Sequence, residues 1–82
     1  MNGTENPLNR HSTIHLSERE LHILLLISYG MSSALIGERL FVSENTVEYH
    51  RKKLFQKFSV HNSAHLVGEA YRCGVLKVEC ND

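Results

Sequence analysis

Arg51, Lys52, Lys53 and Lys57 place four of the chain's nine basic residues within seven positions that hold no Asp or Glu. Cations at that density attract a polyanion, and phosphate is the anion that arginine and lysine hold best. A solvated helix face often carries a similar run, so the residues around the cluster decide its meaning. Just ahead stand Ser43, Asn45 and Thr46, short polar side chains that cap a helix or donate hydrogen bonds. A helix opening there leaves backbone amides unpaired at the positive end of its dipole, which is an anion-binding arrangement in itself.

The other reactive side chains assemble into less. His61 and His65 have the i, i+4 spacing that binds metal on one helical face, but His61 precedes the expected helix cap and no third ligand is suitably spaced, so no metal is assigned. Cys73 and Cys80 form no CxxC pair and read as free thiols, Cys73 as a buried one on a helix. No Gly-rich phosphate loop, no paired carboxylates and no nucleophile beside a placed histidine can be recognised. The chain is therefore not read as an enzyme, and neither a cofactor nor a small-molecule ligand is assigned.

The 82 residues support one domain with one modest core. Nine basic and nine acidic residues cancel, so a polyanion must be met by the local patch rather than by the field of the whole molecule. The longest apolar run, Ile23 to Ile27, is five residues, where a membrane span needs roughly 20. Met1 to Thr13 is polar and lacks the apolar stretch of a secretory signal, so a cytoplasmic location is expected.

Helical periodicity supplies the elements that must hold these side chains. Residues 1–14 carry turn formers and little apolar periodicity and read as a flexible arm or linker; residues 15–78 read as the domain, and 79–82 as a tail. Ser17 with Glu20 makes a capping box, Leu16 can staple against Leu21, and Gly30 can end the helix, predicting helix 1 at about 18–29 with Leu21, Leu24 and Ile27 inward. A start at Ser32 or Ser33 opens helix 2, about 33–40, with Ile36 and Leu40 as its buried stripe. Leu40 to Ser43 forms a tight turn in which two apolar residues plug the join and Ser43 caps the next helix.

Helix 3 is predicted at about 44–58, with Val47, Leu54 and Phe58 inward and His50 or Arg51 on the same side. Its outward face is then Asn45, Tyr49, Lys52 and Gln56, flanked by Glu48 and Lys53. Asn62 or Ser63 caps helix 4, about 63–73, which Gly74 ends. The class is all-α, four helices with short loops, and helices 2 and 3 form a helix-turn-helix. A helix about 10–12 Å across fits a major groove about 12 Å wide. On this reading Ser43, Asn45 and Thr46 meet phosphates, Glu48, Tyr49 and Lys52 approach base edges, and Lys53, Gln56 and Lys57 complete the contact surface. His50 is left open between a phosphate donor and a structural hydrogen-bonding role.

The stretch Leu16 to Leu76 resembles the DNA-binding domain of LuxR/FixJ/GerE-type bacterial regulators. The residues that carry the resemblance are Leu16-Ser17-Glu18-Arg19-Glu20, then Val42-Ser43-Glu44-Asn45-Thr46-Val47-Glu48-Tyr49-His50, and later Lys57-Phe58-Ser59-Val60. The resemblance implies a four-helix fold, a recognition helix at about 44–58, bacterial transcriptional control, and pairing of two domains through the fourth helix on two DNA half-sites. Ala64, Val67 and Tyr71 share one stripe of helix 4 and are the expected dimer contact. The partners expected are double-stranded DNA, a second copy on DNA, and RNA polymerase that the bound protein helps or blocks.

Two positions depart from the family pattern. Such domains usually carry a basic residue where this chain has Glu48, an acid aimed at a polyanion that could instead accept a hydrogen bond from a cytosine amino group. The family's Ser-Asn-x-Glu start of helix 2 becomes Ser32-Ser33-Ala34-Leu35, and Leu25 stands where a polar residue is usual. Leu25, Leu35 and Tyr29 either form an exposed patch or enlarge a small core. Those features keep a second function open: a protein-interaction module that retains the helix-turn-helix fold with weak or lost DNA binding.

Overall fold

The computed structural model describes residues 14–78, so all of the arm expected at 1–14 except Ile14, which packs against the core, and the tail at 79–82, with Cys80, lie outside the described residues. Four helices follow one another: α1 (Glu18–Ser28), α2 (Ser33–Leu40), α3 (Glu44–Phe58) and α4 (Ser63–Arg72). Among the described residues no strand occurs, and no helix is long and apolar enough to cross a membrane. The all-α expectation holds, and each helix end lies within a residue of its predicted place.

Local chemistry fixes those ends. The amide of Glu20 donates to Ser17 Oγ and the amide of Ser17 donates to Glu20 Oε1, both at 3.0 Å, completing the capping box that opens α1. Ser32, Ser43 and Asn62 cap α2, α3 and α4, each accepting from the amide three residues on. Gly30 ends the first unit at φ +85°, a conformation that costs an L side chain roughly 1–2 kcal/mol.

α3 is the central element and packs against all three others. Val47, Leu54 and Phe58 on its inner side meet Ile23 and Leu24 of α1, Ile36 of α2 and Leu66 of α4 in a fully buried core. The join between α2 and α3 is closer than periodicity suggested. A Cβ on Gly37 would stand 2.7 Å from the carbonyl oxygen of Val42, and the Val42 amide donates to the Gly37 carbonyl at 2.9 Å. Only a glycine lets the turn fold this tightly onto the helix.

One apolar residue of α1 sits elsewhere than predicted. Leu21, expected inward, is 42% exposed, because the buried stripe of α1 runs through Glu20, Ile23, Leu24, Leu26 and Ile27. Of the three apolar residues at the turn, Phe41 is 93% exposed and holds the left-handed conformation at φ 62°. Leu40 and Val42 on either side of it pack against the core instead.

Candidate nucleic-acid interface

Ser43 organises the start of α3. Its hydroxyl oxygen accepts from the Thr46 amide at 3.1 Å and lies 3.0 Å from Thr46 Oγ1. The amides ahead of Thr46 fall outside the helical ladder and point beyond the helix end. Ser43, Asn45 and Thr46 are all exposed, so nothing in the fold covers this positive end of the dipole.

Along the outer side of α3, Asn45, Tyr49, Lys52 and Gln56 are exposed, as the 3.6-residue period required. Lys52 has no ion-pair partner among the described residues. Lys53 is half-buried, its ammonium 5.6 Å from the centre of the Tyr49 ring, a distance at which the ring face attracts a cation. The Tyr49 ring also meets the His50 ring edge-on, at 5.5 Å between centroids. His50 Nδ1 is buried and finds no hydrogen-bond partner among the described residues.

The remaining charges of the cluster are engaged. Lys57 Nζ donates to Glu20 Oε1 at 2.7 Å and to the His15 carbonyl at 2.9 Å. Its ammonium thus ties the end of α3 to the start of α1, while the residue remains exposed. Burial pushes the Glu20 carboxyl up, but hydrogen bonds from Lys57 and the Ser17 amide, with the charges of Lys57 and Lys53, outweigh it and hold the carboxyl below its ordinary value of 4.5.

Glu48 is exposed on α3, but its carboxylate is engaged. The Ser33 hydroxyl donates to Glu48 Oε2, and Arg51 Nε lies 3.9 Å from the same oxygen. Arg51 reaches on to donate to Ser63 Oγ at the head of α4. Of the four cations, Arg51 and Lys57 are therefore paired with carboxylates, whereas Lys52, exposed, and Lys53, half-buried beside Tyr49, have no carboxylate partner among the described residues.

Residues 15–70 match the model of a protein family described as bacterial regulatory proteins, luxR family. The chain belongs to the LuxR family. Among its relatives is the HTH-type transcriptional regulator AlkS of Alcanivorax borkumensis, 38% identical over 68 residues, covering 83% of this chain and 8% of AlkS. The transcriptional regulatory protein DegU of Brevibacillus brevis is 38% identical over 63 residues, covering 77% of this chain and 27% of DegU. The crystal structure of response regulator ChrA, from a heme-sensing two-component system, matches with a TM-score of 0.74 and 31% identity over 76% of this chain and 31% of that one. This chain spans less than a third of the length of each.

Within this LuxR-type fold, the stripe expected to pair two copies is only partly exposed, since Val67 also packs against the core. On α4 Leu66 and Ala70 turn inward, whereas Ala64 is exposed, Val67 is half-buried and Tyr71 is 39% exposed. Leu25 and Tyr29 are exposed rather than core residues. They line one groove with Leu21 of α1 and with Tyr71, Val75 and Val78 from the end of α4 and beyond. Leu35, 51% exposed on α2, does not belong to it. No group of three residues able to hold a metal occurs among the described residues; His65 lies 3.9 Å from Glu69. Cys73 is half-buried at the C-cap of α4, its thiol 3.8 Å from the Ala70 carbonyl.

Sequence reasoning missed Ser33, Arg51 and Ser63 as a connected set, and Glu20 as the partner of Lys57. The signal for the second was present in part: a Glu on the inner side of a helix demands a cation.

Proposed function

We propose that this LuxR-type domain binds double-stranded DNA sequence-specifically and controls transcription, with α3 lying in the major groove. The observation that carries this reading is the open outer side of α3, where Asn45, Tyr49, Lys52 and Gln56 stand exposed and Lys52 is unpaired among the described residues. Ser43, Asn45 and Thr46, with the first-turn amides, hold phosphates at the positive end of the helix. Lys52, Tyr49 and Gln56 reach base edges, Lys52 being suited to guanine O6 and N7 and the Tyr49 ring to a thymine methyl. Lys53, braced on Tyr49, adds attraction to the backbone.

Lys52 and Lys53, the two cations of the cluster with no carboxylate partner among the described residues, predict a salt slope of only about −2 per domain, too little for tight binding by one copy. A second copy on an adjacent half-site, roughly 10 bp away, doubles the contacts and supplies the missing affinity through linkage. Ala64, Val67 and Tyr71 are the surface on which the two copies meet, and DNA-bound dimers then help or hinder RNA polymerase. Anisotropy titrations of a duplex pool at several salt concentrations test the proposal: a linear fall of log affinity with log salt supports it. No binding at about 50 mM salt, where phosphate contacts are strongest, leaves the protein-interaction module as the reading.

A further inference from the structure

Glu48 poses an electrostatic problem that the Ser33 contact answers. A free carboxylate on the groove-facing helix would repel phosphates across a few ångströms with little screening. Here Arg51 Nε stands 3.9 Å from Glu48 Oε2, so the approaching duplex meets a short dipole in place of a bare negative charge. The Ser33 hydroxyl donates to that same oxygen from a side chain only 6% exposed. One oxygen of the carboxylate is thereby held to α2, while the side chain stays 51% exposed.

The positions of the two residues give that bond mechanical leverage. The turn Phe41–Ser43 joins α2 to α3 at the C-terminal end of α2, and Ser33, the first residue of α2, is joined to the second turn of α3 through Glu48. Two helices tied at two points hold one crossing angle, whereas a single tight turn leaves them a hinge. Arg51, three residues further along α3, donates to Ser63 Oγ, the first residue of α4. Hydroxyl, carboxylate, guanidinium and hydroxyl thus run in one string across α2, α3 and α4.

We infer that Glu48 is a positioning residue: with Ser33 and Arg51 it sets the angle at which α3 meets the groove, and it reads no base itself. The inference rests on the DNA-binding function proposed above. It supplies a reason for an acid at this site: the string ties the reading helix both to its bracing helix and to the helix on which two copies pair. Half-site reading depends on both of those angles.

Three roles for Glu48 give three different results in one experiment. The full chain and its variants E48A, E48Q, S33A and S33A/E48A are titrated against the duplex the unaltered protein selects and against single-base-pair variants of it. Circular dichroism melts report folding alongside, and should E48A fail to fold, S33A and E48Q carry the test. A positioning role predicts that E48A binds the selected duplex about tenfold more weakly, the size of one lost charge-assisted hydrogen bond, with preference reduced at every base pair. S33A follows it in kind, the double variant binds no worse than E48A, and E48Q, whose amide oxygen still accepts from Ser33, stays within about threefold of the unaltered protein.

Tighter binding of E48A to every duplex would show simple repulsion and overturn the inference. A loss confined to one base pair would show a base reader and overturn it as well, as would an S33A variant that binds normally. Should the unaltered protein ignore all duplexes, the DNA-binding proposal itself fails and this inference falls with it, an outcome distinct from the other three.

Discussion

Glu20 in the first turn of α1 and Lys57 in the last turn of α3 meet at 2.7 Å, with the carboxylate buried and the ammonium partly in solvent. Thirty-seven residues apart in the chain, they fasten the N-terminal capping box to the end of the central helix. The same oxygen of Glu20 accepts from the Ser17 amide, so one carboxylate serves both a local cap and a long-range tie. Lys57 therefore contributes to the standing of α3 on α1 more than to the charge presented outward.

Acid should loosen this tie. The Glu20 carboxyl is held below 4.5 in the fold, so it binds its proton less readily folded than unfolded, and it stabilises the domain at every pH above its ordinary value. That stabilisation declines as pH falls through the depressed value. Thermal melts between about pH 6 and pH 3 are expected to show a midpoint that falls with acid in the unaltered protein and falls less in E20Q. Equal acid dependence in the two would mean that Glu20 does not govern the acid response. K57A is expected to lose about 1–2 kcal/mol of stability, discounted for the solvent reaching the ammonium, while leaving the salt slope of DNA binding unchanged.

Lys52 and Lys53 should part company. Lys52 is exposed and unpaired among the described residues, whereas Lys53 lies over Tyr49. K52A is expected to relax preference at one base pair, at about 1–3 kcal/mol of discrimination. K53A should weaken all duplexes alike and reduce the salt slope by about one. Binding-site selection with each variant separates them, and identical profiles would contradict the assignment.

Phe41 predicts a gain rather than a loss. Its left-handed backbone costs a bulky residue roughly 1–2 kcal/mol, and a ring 93% exposed returns little packing. Asparagine tolerates that conformation, so F41N should raise stability by about 1 kcal/mol in denaturant titrations. A variant less stable than the parent would mean the ring packs in a way its exposure conceals.

Pairing through α4 can be blocked without harming the helix. Ala64 is exposed in the first turn of α4, where a carboxylate favours the helix dipole yet places like charges together across a two-fold contact. A64E is expected to keep single half-site affinity and to lose at least tenfold on a duplex carrying two half-sites, measured by gel shift. Equal affinity for both duplexes in the unaltered protein would remove the dimer from the proposal.

Much of this architecture is legible in the residues themselves. Ser17 with Glu20, Ser32, Ser43 and Asn62 mark the helix starts by local chemistry, and Gly30 and Gly74 mark the ends by positive φ. The outer side of α3 follows from period alone. What escapes is tertiary. Leu21 and Ile23 stand on opposite sides of α1 and are equally apolar, so period alone does not choose between them, and Glu20 occupies an inner position only because Lys57 arrives from the far end of α3. Glu48 looks like a free acid until Ser33, brought close by the tight turn over Gly37, is seen to hold it.

The central claim is that the outer side of α3 is the surface that meets the duplex. Backbone and side-chain chemical shifts of the labelled protein, followed as a selected duplex is added in dilute buffer, test it directly. The largest changes are expected on Ser43, Asn45, Tyr49, Lys52, Lys53 and Gln56. Changes gathered instead around Leu21, Leu25 and Tyr29, or none at all, would contradict it.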